Sequence, residues 1–125
     1  MQKEVIYTQN APEPGPYSQA IKYGNLIFVS GQTSEDPQTN EVIHDSVAQQ
    51  IERILNNIGA ILNAAGSGLD NVLQCRVFIA SMDQFAEMNS AYRKFFPTAP
   101  PARLTVAVNG IDADLDVEIE VVAGC

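Results

Sequence analysis

The chain has 125 residues, 15 of them acidic and 7 basic, for a formal net charge of −8; this is one domain's length, enough to bury a core without staples. Hydrophobic residues make up 46% and charged residues 18%, the balance of a globular protein rather than a disordered one. So acidic a chain lacks the basic footprint that nucleic-acid and anionic-membrane binding require, and neither is an expected partner.

The start, MQKEVIYTQN, has no apolar leader core, and no apolar run approaches a membrane span, so a cytoplasmic, reducing setting is expected. The Pro/Gly cluster Ala11–Pro16 reads as an ordered loop that delivers Tyr17. Ala20–Tyr23 and Leu26–Ser30 are strand-like runs joined by Gly24-Asn25, a two-residue hairpin signal, and Asp36–Asn40 carries turn chemistry. Ser46–Ala65 is the clearest helix. Val47, Ile51, Ile54, Leu55, Ile58, Ile61 and Leu62 recur at helical spacing, Ser46 with Gln49 fits a capping box, and Gly66 stands at the stop.

Val72–Ala80 then reads as a strand with Leu73, Cys75, Val77 and Ile79 on one face. Met82–Phe96 reads as a second helix, with Ser81 as cap and Pro97–Pro101 as breaker. Ala102–Val108 and Asp116–Ala123 are the last strands. The order is three strands, helix, strand, helix, two strands. Two helices can cover only one face of such a sheet, so the expected class is α+β with a mixed sheet. The other face is expected to carry Gln74, Arg76, Phe78, Arg103, Thr105, Glu118 and Glu120. That set is too apolar for plain solvent and too polar for a core; a subunit interface holding a site fits it.

Cys75 and Cys125 are the only cysteines and give no disulfide framework, and Cys75 on its apolar strand face reads as a buried hydrophobe. His44, the only histidine, excludes histidine triads and two-histidine metal sites and receives no role. The five acids of Asp112–Glu120 lack the spacing of a calcium loop and read as a solvated turn and strand face.

Arg103 and the pair Glu118/Glu120 are the candidates for chemistry. If the last two strands form a hairpin, one loop length sets Arg103 against Glu120 and Thr105 against Glu118, and a shorter loop sets Arg103 against Glu118. A guanidinium can clamp a carboxylate through paired hydrogen bonds, and a neighbouring glutamate can deprotonate water. By spacing alone, a cross-strand ion pair is the commoner meaning of such a set. Tyr17 by itself reads as a core tyrosine, Ser30-Gly31-Gln32 as a strand-ending turn, and Asn89 as a solvated helix position.

Six segments in order resemble the RidA/YjgF family of enamine/imine deaminases, also labelled endoribonuclease L-PSP or translation-inhibitor-like. They are GPYSQA at Gly15–Ala20, SGQ at Ser30–Gln32, AAG at Ala64–Gly66, FAEMNSAYRKFF at Phe85–Phe96, PPAR at Pro100–Arg103 and VEIEVVA at Val117–Ala123. The resemblance implies a chorismate-mutase-like α+β fold, assembled as a homotrimer with clefts between subunits. It also implies Arg103 as carboxylate clamp, Glu118 as the acid acting on water, and Tyr17 as an assisting catalytic residue. Ser30, Gly31, Asn89 and the Thr105 backbone would line the cleft. Leu104, Thr105, Asn109 and Ile111-Asp112 depart from the family's usual residues, which bears on cleft shape and substrate preference.

The function so implied is hydrolytic deamination of a small 2-imino acid, or its enamine tautomer, to a 2-keto acid and ammonia. No metal or organic cofactor is expected, because an imine is already electrophilic. Two other readings are an endoribonuclease or translation inhibitor, and a non-catalytic trimeric protein that binds small carboxylates or acts as a chaperone.

Overall fold

A computed structural model describes residues 1–125. Six strands form one sheet: β1 (Lys3–Ile6), β2 (Ala20–Tyr23), β3 (Leu26–Gln32), β4 (Val72–Ile79), β5 (Ala102–Ala107) and β6 (Val117–Gly124), in the order β1-β2-β3-β6-β4-β5. Two α-helices, α1 (Val47–Ala64) and α2 (Phe85–Phe95), cover one face. The fold class is the mixed α+β arrangement expected.

Local chemistry explains the elements. Tyr23 pairs with Leu26 across Gly24-Asn25, and Gly24 takes φ +61°, which glycine adopts without Cβ strain. Ser46 accepts from the Gln49 amide while the Gln49 side chain accepts from the Ser46 amide, closing the expected capping box on α1. Ile51, Ile54, Leu55, Ile58, Ile61 and Leu62 are fully buried against the sheet. Ser81 caps a 3₁₀ turn at Met82–Gln84, and α2 proper begins at Phe85.

The crossover connections set the topology. β3 and β4 both run antiparallel to β6, which lies between them with α1 bridging over it; α2 then connects β4 to a parallel β5. β6 alternates strictly, and its residues Val117, Ile119, Val121 and Ala123 are buried under the helices. A central slot satisfies both of its backbone edges. The β5–β6 hairpin, the condition under which Arg103 would face Glu118 or Glu120, is therefore absent. The chain instead runs beyond the end of β4, where the Val108 amide donates to Ile79 O and the Ala80 amide to Asp116 O.

A polar knot ties the helices to the start of β6. Gln50 Nε2 donates to Asp116 Oδ2, Gln84 Nε2 donates to Asp116 Oδ1, and the Asp116 amide donates to Gln50 Oε1, at 2.9, 2.8 and 3.1 Å. The side-chain polar atoms of Gln50 and Asp116 there are all paired, as burial demands, whereas Gln84 Oε1 is buried and finds no partner within the chain. No helix is long and apolar enough to cross a membrane.

Candidate active site

Tyr17, Gly31 and Glu118 surround one cavity of about 90 Å³. Its position follows from the loop before β2. Gln19 is buried; its Oε1 accepts from the Thr8 amide and its Nε2 donates to Thr8 O and Pro12 O, pinning the Ala11–Pro16 loop. The Ser30 amide donates to Gln19 O and Ser30 Oγ to Ser18 O, locking that loop to β3. Tyr17 is left 55% exposed, so it is not the core tyrosine that its sequence context suggests.

Ser30 and Gly31 form a β-bulge. Val29 pairs with Val121 and Gln32 with Ile119, so two residues of β3 oppose Glu120 alone. This replaces the strand-ending turn expected there. A Cβ on Gly31 would lie 3.1 Å from Glu118 Cδ and closer still to its carboxylate oxygen. Glycine leaves that space to the carboxylate, and any side chain here would force Glu118 to move. The hydroxyl of Ser30 is committed to Ser18 O, so its contribution is to brace the bulge rather than to face the cavity.

Glu118 is half-buried, and burial pushes its carboxyl above the usual 4.5, reinforced by the charges of Glu120 and Asp112. Glu120 itself pairs with Arg76 at 2.9 Å on the exposed sheet face, so that ion pair exists without Arg103. Glu13, Glu35 and Asp112 also line the cavity, and the sequence reading missed all three as site residues. They come from three separate loops, so spacing carried no signal; only Asp112 stood out, as a departure from the family pattern.

Arg103 lies elsewhere. It pairs with Cys75, and Thr105 pairs with Val77, so both side chains point to the helix-covered face, not to the face of Arg76, Glu118 and Glu120. The expectation that Arg103 and Thr105 share a face holds; the face itself is corrected. Register puts the Arg103 and Glu118 Cα atoms two strands and three residues apart, roughly 14 Å, on opposite sides of the sheet. The Arg103 guanidinium sits over the Tyr92 ring at 4.7 Å and the Phe85 ring at 5.8 Å. With Asn89 and Tyr92 it lines a second cavity of about 260 Å³, floored by Pro100 and Pro101. Asn89 and Tyr92 are three apart on α2 and so share a face, and Asn89 is half-buried against that cavity rather than fully solvated. Thr105 Oγ1 is buried and finds no partner within the chain.

The structure thus distributes the candidates over two cavities. One holds an acid, a phenol and a glycine bulge. The other holds a guanidinium and an amide, beside the edge strand β5. Cys75 is fully buried, and burial raises its thiol, as expected of a hydrophobe rather than a nucleophile. His44 bonds Ala113 O through Nε2 at 2.6 Å and belongs to neither cavity.

The family model described as Endoribonuclease L-PSP matches residues 8–125. A RutC family protein of Pyrococcus horikoshii is 46% identical over 122 residues, covering 97% of each chain. Reactive Intermediate Deaminase A, chloroplastic, of Arabidopsis thaliana is 40% identical over 98% of this chain and 66% of its own length. Among solved structures, the YjgF gene product of E. coli superposes with a TM-score of 0.91 at 38% identity, covering 97% of this chain and 98% of its own. The chain belongs to the endoribonuclease L-PSP family, the family of the YjgF/RidA and RutC proteins.

Proposed function

We propose that this protein hydrolyses small 2-imino acids and their enamine tautomers to 2-keto acids and ammonia, at sites completed between the subunits of a homotrimer. The observation that carries this reading is the split itself. A clamp for a carboxylate and an acid able to move protons face different cavities, each incomplete in one chain. β5 is an edge strand whose outer backbone groups find no partner in its own sheet, and Leu104, Phe28 and Leu73 stand 51%, 46% and 52% exposed on the open face. Packing of a second copy there would cover apolar surface and bring one subunit's Arg103 toward its neighbour's Glu118.

In the completed site, Arg103 would hold the substrate carboxylate through paired hydrogen bonds. Asn89, the Gly31 bulge and the Thr105 backbone would orient the imine, with Ser30 bracing the bulge. Glu118 would take a proton from water as its oxygen bonds to the imine carbon, and deliver that proton to the nitrogen. Glu118 then takes the hydroxyl proton of the resulting carbinolamine and passes it to the amine nitrogen as the C–N bond breaks, so that the 2-keto acid and neutral ammonia are released and Glu118 is regenerated. Tyr17 would assist as a hydrogen-bond donor to the departing nitrogen's surroundings. A raised carboxyl suits this shuttling because it lies nearer the working pH. The family's deaminase-named member supports the reaction class.

A ribonuclease reading has less support. The net charge is −8, and the only histidine is engaged with a backbone carbonyl and lines neither cavity. The test generates 2-aminoacrylate in situ with a serine dehydratase and follows keto-acid formation against a scavenger. Wild-type protein is expected to accelerate it and Arg103→Ala to lose at least 100-fold (on the order of a removed charge-assisted pair). Equal rates with and without protein would overturn the reading.

A further inference from the structure

We infer that Tyr92 is a positioning residue whose ring, backed by Phe96 and flanked by Phe85, holds the Arg103 guanidinium ready for a carboxylate. This rests on the deamination reading and deepens it. An arginine on an edge strand of an acidic protein would ordinarily be expected to find a carboxylate. Arg53 does so with Asp45 at 2.8 Å, and Arg76 with Glu120 at 2.9 Å. The Arg103 side chain makes neither an ion pair nor a hydrogen bond within the chain. Its contacts are aromatic: the guanidinium carbon lies 4.7 Å from the Tyr92 centroid and 5.8 Å from that of Phe85.

The type of contact matters. A carboxylate partner would occupy the N–H fork that the substrate needs. A ring attracts the cation through its π-face and leaves those donors free. The ring is itself fixed. Tyr92 is only 5% exposed, and the Phe96 ring packs against it at 4.9 Å and 46°. Its hydroxyl lies beside Cys75 without a hydrogen-bond partner, and burial holds its proton well above the usual tyrosine range. The phenol therefore stays neutral, and the ring acts as a platform rather than as an acid or base. Phe96, Tyr92 and Arg103 form one column, and its charged end lines the cavity with Asn89. The sequence FAEMNSAYRKFF supplies Phe85, Asn89, Tyr92 and Phe96 from one helical stretch.

The hydroxyl has no place in this role, which separates it from catalysis. Tyr92→Phe is expected to bind 2-oxobutanoate, a stand-in for the keto-acid product, within about twofold of wild type by titration calorimetry. Tyr92→Leu keeps a similar bulk but loses the π-face, and is expected to weaken binding roughly tenfold, the loss typical of a partly desolvated cation–π contact. In turnover with 2-aminoacrylate, the same variant is expected to raise KM about tenfold with kcat nearly unchanged. Phe85→Leu, the more distant ring, gives a smaller rise in the same direction and serves if Tyr92→Leu does not fold. Unchanged binding in both leucine variants would overturn the inference, as would a loss in Tyr92→Phe equal to that in Tyr92→Leu, or a fall in kcat without a rise in KM. If wild type binds 2-oxobutanoate through Arg103 but shows no turnover, the deaminase reading fails while the platform is still decided by the binding constants. If wild type does not bind 2-oxobutanoate, the platform has no carboxylate to serve and both fall.

Discussion

Glu118 shows how a single residue's surroundings set its use. Burial, with Glu120 and Asp112 nearby, raises its carboxyl above 4.5. An acid whose folded value exceeds its unfolded one binds more protons when folded, so stability falls as pH climbs from the unfolded value through the folded one. Ionised Glu118 therefore destabilises the fold at neutral pH. Glu118→Gln is expected to raise Tm at pH 7, with the gain shrinking toward pH 4, while deamination is abolished; thermal melts at the two pH values check this. The same shift places the acidic limb of kcat/KM above the range of an ordinary glutamate, because the base form must be present. Asp112→Asn removes one of the repelling charges and is expected to move that limb to lower pH. Gly31→Ala tests the bulge: its Cβ, 3.1 Å from Glu118 Cδ, must push the carboxylate aside, lowering kcat at least tenfold with a stability cost of about 1–3 kcal/mol. Steady-state kinetics beside urea unfolding separate the two effects.

At the scale of elements, the fold was legible wherever a pattern was local. The α1 stripe, its Ser46/Gln49 box, the Gly24-Asn25 hairpin and the alternation of β6 depend on residues a few positions apart. Ser46→Ala is expected to cost about 1 kcal/mol, and Ile58→Ala, at a fully buried position, about 2–5 kcal/mol. Denaturant titration at fixed protein concentration measures both, since assembly would add to apparent stability. Strand order was not legible, because it depends on which partner each backbone edge meets. β5 illustrates the difficulty. Hydrophobicity alone would turn Leu104 inward, yet Leu104 is 51% exposed and Arg103 faces the helices. The inversion is tolerated because the rings of α2 receive the guanidinium. Arg103, Glu118, Tyr17, Gly31 and Asn89 were identified as candidates, but their division between two cavities required the topology.

At the scale of the whole molecule, two helices leave one sheet face uncovered, and that face carries Phe28, Leu73 and Leu104 beside the Arg76–Glu120 pair. The central claim is that Arg103 of one subunit works with Glu118 of the next. It is tested most directly by mixing subunits. Arg103→Ala and Glu118→Gln are each expected to be inactive alone. Unfolded together in equal amounts and refolded, random trimers would pair an intact arginine with an intact glutamate at about one site in four. Recovery of about a quarter of wild-type deaminase activity is the expected result. No recovery from well-folded mixed trimers would place both residues' work within one subunit and contradict the account.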